Sequence, residues 1–77
     1  MNEELTLDEL RLILKHEEIP QDVYSLNGYA DESLCMEKVD KYWLVYGGDR
    51  GRRFDVQVFE TESQACQNFL ERITEYI

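Results

Sequence analysis

The sequence predicts an α+β fold, a single small domain of order α-β-β-β-α in which a three-stranded antiparallel meander packs against two helices. Two segments with helical periodicity, each preceded by a capping pattern, lie near the two ends of the chain. Between them lie three short segments rich in β-branched and aromatic residues, separated by turn formers. A chain of 77 residues supports one hydrophobic core, so residues 1–77 are treated as one domain.

The first helix is predicted over residues 7–17. Thr6 and Glu9 have the spacing of a capping box, and leucines at helical spacing form one apolar stripe. Pro20 follows and cannot continue a helix, because it lacks an amide donor. Residues 20–33 contain many turn formers and are expected to form a loop that lies across the core.

Three strands are predicted, over residues 33–39, 42–47 and 54–59. The connections are short, a tight turn at Asp40-Lys41 and a glycine-rich turn over residues 47–51, and short connections favour an antiparallel meander. Alternation in the third strand predicts two sets of side chains, with Phe54, Val56 and Val58 towards the core and Asp55 and Gln57 towards solvent.

The second helix is predicted to begin at Thr61 and to run to the C-terminus. Gln64 lies three residues after Thr61 and completes a second capping box. An apolar stripe follows, formed by Ala65, Phe69, Ile73 and Tyr76. The predicted core comprises Leu10, Leu14, Trp43, Val45, Val56, Val58, Phe69, Leu70 and Ile73.

The chain is strongly acidic, with 17 Asp or Glu, 8 Lys or Arg and a formal net charge of −9. Direct binding of nucleic acid is disfavoured, because neutralising phosphates needs clustered Lys and Arg. A hydrophobic share of 43% is too high for the disordered class. Residues 1–40 carry −8, residues 41–59 carry +2 and residues 60–77 carry −3. This distribution predicts two differently charged surfaces, and we expect a basic partner to meet the acidic one.

The residues that could carry chemistry are scattered. His16 is the only histidine, and the two cysteines, Cys35 and Cys66, lack the C-x-x-C spacing of a zinc site. The glycine-rich run at 47–51 lacks the G-K-[ST] of a phosphate loop. We therefore predict no enzyme, no metal and no cofactor, and we interpret both cysteines as reduced thiols packed in the core.

No apolar run is long enough to span a bilayer, and the acidic start of the chain is unlike a signal peptide. Both features favour a cytoplasmic protein.

Two groups of side chains each leave two interpretations open. One is the arginine group at the predicted hairpin tip, Arg50, Arg52 and Arg53. These arginines either form ion pairs within the chain or contact a partner. The other group shares the predicted outer face of the sheet, namely Tyr42, Leu44 and Tyr46. Either the loop over residues 20–33 covers this group or a partner does.

From residue 24 onward, a series of short motifs resembles one family of proteins. The motifs are YSLNG at 24–28, LCMEK at 34–38, WLVY at 43–46, DRG at 49–51 and VFETESQACQNFL at 58–70. Together they resemble the small bacterial immunity proteins of polymorphic toxin and contact-dependent growth inhibition systems. The chain departs from the family pattern at the hairpin tip, where Gly47-Gly48 and Asp49 stand in place of Tyr-Ser and Glu.

The resemblance implies a cytoplasmic antidote that binds one cognate toxin domain in a 1:1 complex and covers its active site or substrate surface. An acidic chain would be steered to the basic substrate groove of a nuclease toxin. We expect acids of the first helix and the loop to meet the toxin, with Tyr29 as an anchor. The candidate partner-binding residues are Glu17, Glu18, Asp22, Tyr29, Asp31, Glu32, Tyr42, Tyr46, Arg50 and Arg52.

Three alternatives remain. An acidic nucleic-acid mimic would inhibit a nuclease or a phage-defence complex and would space its acids like phosphates over one face. A small enzyme would use a cysteine whose pKa is depressed. A regulatory subunit would dock a helix on a larger complex.

Overall fold

The computed structural model describes residues 5–76, and the side chains of residues 5–75. Its elements in chain order are α1 (Leu7–His16), a 3₁₀ turn (Gln21–Val23), β1 (Tyr24–Ser25), β2 (Ser33–Val39), β3 (Tyr42–Asp49), β4 (Arg52–Phe59) and α2 (Glu62–Tyr76). The predicted α+β class is confirmed. The predicted three-stranded meander is wrong in one respect, because the described sheet is mixed and has four strands in the order β1-β2-β3-β4.

The additional strand, β1, lies inside the segment that was predicted to be a loop. It pairs in parallel with the start of β2, with Tyr24 opposite Leu34 and Ser25 opposite Cys35. A strand of two residues is too short to show alternation in the sequence, so nothing local distinguishes it from a loop. The remaining pairs, β2 with β3 and β3 with β4, are antiparallel as predicted.

Both helices begin where the capping patterns predict. Thr6 and Glu9 form a full capping box, in which each side chain accepts a hydrogen bond from the other's backbone amide at 3.2 Å. The Gln64 amide donates to the Thr61 hydroxyl at 3.2 Å, which is one of the two bonds of the predicted box, and α2 begins at Glu62, one residue after the predicted start. α1 ends at His16, one residue earlier than predicted, and the predicted end of α2 at Ile77 lies outside the described residues, as does the side chain of Tyr76.

The core lies between the inner face of the sheet and the two helices, with α2 on the sheet and α1 against α2. Its buried members include five of the nine predicted core residues, Leu10, Leu14, Val45, Phe69 and Ile73. Trp43 and Leu70 are half-buried and pack against this cluster. Both cysteines are buried free thiols, and Cys66 lies in this core as predicted. Cys35 instead lies on the other side of the sheet, opposite Tyr46.

The prediction that Val56 and Val58 face the core is wrong. Val58 lies opposite Leu44, while Gln57 lies opposite the buried Val45 and accepts a hydrogen bond from Asn68 of α2 at 3.3 Å. Gln57 therefore faces the helices, and the two valines face the other side, where they are 43% and 59% exposed. Alternation in a sequence separates two sets of side chains, but it does not decide which set faces the core.

A β-bulge in β4 changes the alternation at its centre. Between Val45 and Gly47 of β3, the paired segment of β4 carries one extra residue, and Asp55 adopts a φ of 53° there. Phe54 returns to the helix side, where it is 42% exposed. Arg72 of α2 donates to the carbonyl oxygens of Val45 at 3.1 Å and Asp55 at 3.0 Å. These bonds satisfy backbone groups that the bulge removes from the ladder.

The glycine-rich turn is shorter than predicted. Gly47 and Gly48 belong to β3, and the turn itself is Arg50-Gly51, with φ of 55° and 78°. Two positive φ angles are typical of the type I′ turns that join antiparallel strands tightly. Gly48 has a different role, because a Cβ at this position would overlap the carbonyl oxygen of Ala30 in the loop above it. Within residues 5–76, neither helix is both long enough and apolar enough to cross a membrane.

Candidate protein-interaction surface

The face of the sheet that points away from the helices divides into a covered half and an uncovered half. We call this side the outer face. Strand pairs place its side chains in rows, with Cys35 opposite Tyr46, Glu37 opposite Leu44 and Val39 opposite Tyr42. Val58 of β4 continues the middle row beside Leu44. Because helices pack only on the inner face, what covers the outer face depends on the loop between α1 and β2.

The loop covers the half of the outer face around Tyr46. The amide and the carbonyl of Ala30 each lie 3.3 Å from the Cys35 sulfur, which places the loop directly over β2. The guanidinium of Arg53 stacks over the rings of Tyr46 and Tyr29, at 5.1 and 5.7 Å from their centroids. Tyr46 is fully buried as a result. Tyr46 is therefore covered by the loop and not left for a partner to cover.

A polar triad connects the covered half internally. The Tyr46 hydroxyl donates to Oε1 of Glu37 at 2.6 Å, and Nη2 of Arg53 donates to the same oxygen at 3.1 Å. Burial and this carboxylate raise the pKa of Tyr46 to about 12. The same hydrogen bond, aided by Arg53, lowers the pKa of Glu37 below its usual range. Arg53 therefore forms an ion pair within the chain. Of the two interpretations of the arginine group, pairing within the chain is the correct one for Arg53.

The hairpin tip is held against the same loop. The Tyr29 hydroxyl donates to Oδ1 of Asp31 at 2.6 Å and accepts from the Gly51 amide at 2.7 Å. The bond from Tyr29 lowers the pKa of Asp31, and so does a bond that the Gly51 amide donates to Oδ1 of Asp31 at 3.3 Å. The nearby Arg50 charge lowers this pKa further. Tyr29 and Asp31, two of the candidate partner-binding residues, thus fix the loop to the β3–β4 turn.

This contact corrects the prediction of two separate charged surfaces. Arg50 lies in the turn that Asp31 contacts, and Arg52 lies opposite Asp49 at the start of β4. The basic segment therefore folds back onto the acidic one. Arg50 and Arg52 are both exposed and remain available to a partner.

Asp22 and Asp31 meet at one end of the sheet, around the start of β2. Ser33 donates to the carbonyl oxygens of Asp22 at 3.3 Å and Asp31 at 3.1 Å, so the 3₁₀ turn and the loop lie together there. Glu17 and Glu18 follow the end of α1 and precede Asp22 by five and four residues, and we call this group of acids the acidic end. The side chains exposed at this end are those of Glu17, Glu18, Asp22, Asp31 and Glu32.

The other half of the outer face is uncovered, and we call it the open apolar face. It comprises Val39, Tyr42, Leu44, Val56 and Val58. Leu44 is half-buried, and the other four are between 37% and 59% exposed. Its part at Val39 and Tyr42 lies at the end of β2 opposite the acidic end, roughly 20 Å away for a strand of seven residues. Sequence reasoning placed Tyr42 on this face and missed its valines.

The two cysteines do not have the pKa shift of reactive thiols. Burial raises the pKa of the Cys35 thiol and raises that of Cys66 to about 11. Reactive cysteines show the opposite shift, because their chemistry requires the thiolate. Over the part of the chain that the structure describes, no three His, Cys, Asp or Glu side chains lie close enough together to hold a metal ion.

No family model, curated protein or solved structure matches this chain. The open apolar face and the acidic end are the structural features that bear on its function.

Proposed function

We propose that this chain is a cytoplasmic immunity protein, which binds one cognate toxin domain in a 1:1 complex and neutralises it by covering its substrate surface. The observation that carries the proposal is the open apolar face. Exposed apolar side chains that form one continuous patch are typical of interaction sites, whereas isolated ones are ordinary. Here five of them lie on adjacent strands of one small sheet.

The composition of the face suits a protein partner. Tyr42 is an aromatic residue at its edge, with the ammonium group of Lys41 5.5 Å from its ring centroid. Tyrosine is enriched among the residues that dominate the binding energy of protein interfaces. The sheet beneath is fixed by strand pairing, so binding would not require the face to become ordered.

The charge of the chain indicates the kind of toxin. A net charge of −9 attracts a partner whose substrate groove is basic, as in a nuclease. The acidic end would approach that groove first and would compete with the phosphates of its substrate. The motifs that resemble immunity proteins support a toxin domain as the partner, and the charge alone suggests which kind of toxin it is.

An acidic nucleic-acid mimic would bind through its carboxylates alone, and it gives the open apolar face no role. The two proposals therefore differ in what substitution of an apolar residue does. An immunity protein that docks through this face loses affinity, whereas a mimic does not.

The test uses the toxin domain encoded beside this chain. We expect Tyr42→Ala to raise the Kd for this domain at least about tenfold, as loss of an aromatic contact that anchors an interface does. Calorimetry gives the Kd, and the residual activity of the toxin gives the protection. Leu12→Ala is the matched control, because Leu12 is 67% exposed on α1, away from the outer face.

Two results would contradict the proposal. The first is a toxin domain that this chain neither binds nor neutralises. The second is equal affinity of wild type, Tyr42→Ala and Val39→Lys, which would remove the open apolar face from the interface. Binding that survives both substitutions but depends on the acids would favour the nucleic-acid mimic.

A further inference from the structure

We propose that two copies of this chain pair through their β4 strands and form one continuous eight-stranded sheet. This dimer goes beyond toxin binding and does not depend on it. β4 is an edge of the sheet, eight residues long and exposed from Arg52 to Val58. The other edge, β1, has two residues. An edge strand presents unpaired amide and carbonyl groups along its length, and these groups can pair with another strand.

The second half of β4 carries little of the protection that edge strands usually have. Charged side chains, proline and bulges commonly prevent an edge from pairing with a second chain. β4 contains no proline, and its charged side chains and its bulge all lie in residues 52–55. Val56 to Phe59 continues as regular strand beyond the bulge. This stretch is the part of the edge that a second strand can join.

The sequence of β4 is self-complementary about Gln57 in an antiparallel arrangement. Gln57 would lie opposite Gln57 of the second copy, and Val56 opposite Val58 of the second copy. All four valines then lie on the outer face, since Val56 and Val58 share it. A slip of one residue would set an outward valine opposite the inward Gln57, so the two faces exclude that slip.

The bulge makes the next pairs match as well. Because Asp55 is the extra residue in β4, the pair after Val56 is Phe54 opposite Phe59 of the second copy. Both rings face the helix side, where Phe54 is 42% exposed and Phe59 is half-buried against the core. The dimer therefore gives a packing partner to an aromatic ring that the monomer leaves at the surface.

The residues at the two ends of the proposed β4–β4 pairing have opposite charges. After Phe54, Arg53 lies opposite Glu60 of the second copy, and the two-fold axis repeats this pair. Arg53 is 46% exposed in its ion pair with Glu37, and Glu60 is exposed. β4 thus has a basic start, an apolar middle and an acidic residue after its end. An antiparallel second copy is the occupant that this order fits.

The first test measures the mass of the chain in solution by analytical ultracentrifugation, from roughly 1 μM to 1 mM. We expect the mass to rise with concentration from the monomer value of 9.2 kDa to twice that value, without larger species. A mass that stays at the monomer value throughout this range overturns the proposal.

The second test locates the interface with two matched valine substitutions on the outer face. Val58→Lys places a charge at the β4 edge and should raise the dissociation constant of the dimer at least about tenfold. Val39→Lys places the same charge on β2, two strands and about 10 Å from β4, and should leave the dimer unchanged. Equal weakening by the two variants would place self-association on the open apolar face and overturn pairing through β4.

The third test uses charge exchange. Arg53→Glu and Glu60→Lys each set like charges opposite each other in their own dimers, so each alone should be mainly monomeric. Mixing the two chains restores both ion pairs and should produce a mixed dimer. Circular dichroism checks that each variant is folded, and the valine pair remains decisive if Arg53→Glu is not. Folded variants that fail to form the mixed dimer contradict the assigned register.

Discussion

At the scale of single residues, the buried hydroxyl of Tyr46 links stability to alkaline pH. Its pKa is raised to about 12 by burial and by the carboxylate of Glu37. An acid whose pKa rises on folding holds its proton more tightly in the folded state. The stability it contributes is complete below the ordinary tyrosine value of about 10 and is lost as the pH rises towards the folded value.

We expect the free energy of unfolding to fall by roughly 2 kcal/mol between pH 10 and 12 through Tyr46 alone. Urea denaturation across this range measures the change, and the Tyr46→Phe variant isolates it, because the other titrating groups remain. The variant should show a shallower decline than wild type. Tyr42→Phe is the control, since the Tyr42 ring lies at the surface and is 37% exposed. Parallel curves for wild type and Tyr46→Phe would show that the Tyr46–Glu37 bond does not stabilise the fold.

At the scale of elements, the contact between the loop and β3 depends on Gly48. A Cβ at this position would overlap the carbonyl oxygen of Ala30, which is backbone and cannot rotate away. We expect Gly48→Ala to lower the free energy of unfolding by about 1–3 kcal/mol, the usual cost of overpacking. Urea denaturation at neutral pH measures it.

The neighbouring glycine is the control for this prediction. At Gly47 an added Cβ would meet the ring of Phe54 at 3.6 Å, an ordinary van der Waals contact. Gly47→Ala should therefore change stability little. If both variants lower the free energy of unfolding equally, the effect arises from replacing glycine in the strand and not from overlap with the loop above Gly48.

The sequence predicts some elements better than others. An element is predicted well when the residues that determine it are close together in the chain, and poorly when they are far apart. Both helix starts depend on residues three apart, so Thr6 with Glu9 and Thr61 with Gln64 predicted them correctly. β1 depends on pairing with β2, ten residues later in the chain, and no local pattern revealed it. The orientation of β4 depends on its register with β3, and alternation alone assigned Val58 to the wrong face.

The same limit applies to the candidate site. Tyr42 was correctly placed on the outer face, because alternation along β3 and one buried neighbour were sufficient. Tyr29 and Asp31 look like surface residues in the sequence, yet their hydrogen bonds reach Gly51, some 20 residues away. Contacts between segments so far apart in the chain are set by the fold, and composition and spacing do not encode them.

At the scale of the whole molecule, folding changes the meaning of the charge distribution. The basic middle zone of the sequence lies against the acidic loop, with Arg50 near Asp31 and Arg53 paired with Glu37. At long range a partner is therefore attracted by the net charge of −9, and the exposed carboxylates that contribute to it include those of the acidic end. Part of the open apolar face lies at the opposite end of β2. The acidic end that attracts the partner and the open apolar face that contacts it are thus two separate surfaces.

This separation predicts that the acidic end governs how fast the toxin domain binds. Glu17→Lys should slow association severalfold, roughly 2–5-fold at low salt, with little effect on dissociation, because steering acts before contact. The difference from wild type should shrink as salt screens it. Stopped-flow measurements at several ionic strengths determine both rates.

The matched control carries the same net charge. Asp8→Lys also moves the formal charge from −9 to −7, since replacing an acid with lysine adds two positive charges, and the exposed Asp8 lies in the first turn of α1, at the other end of the helix from Glu17. If the position of the charge matters, Asp8→Lys associates nearly as fast as wild type. Equal slowing by both variants would mean that total charge alone steers the partner, and the acidic end would then have no special role in recognition.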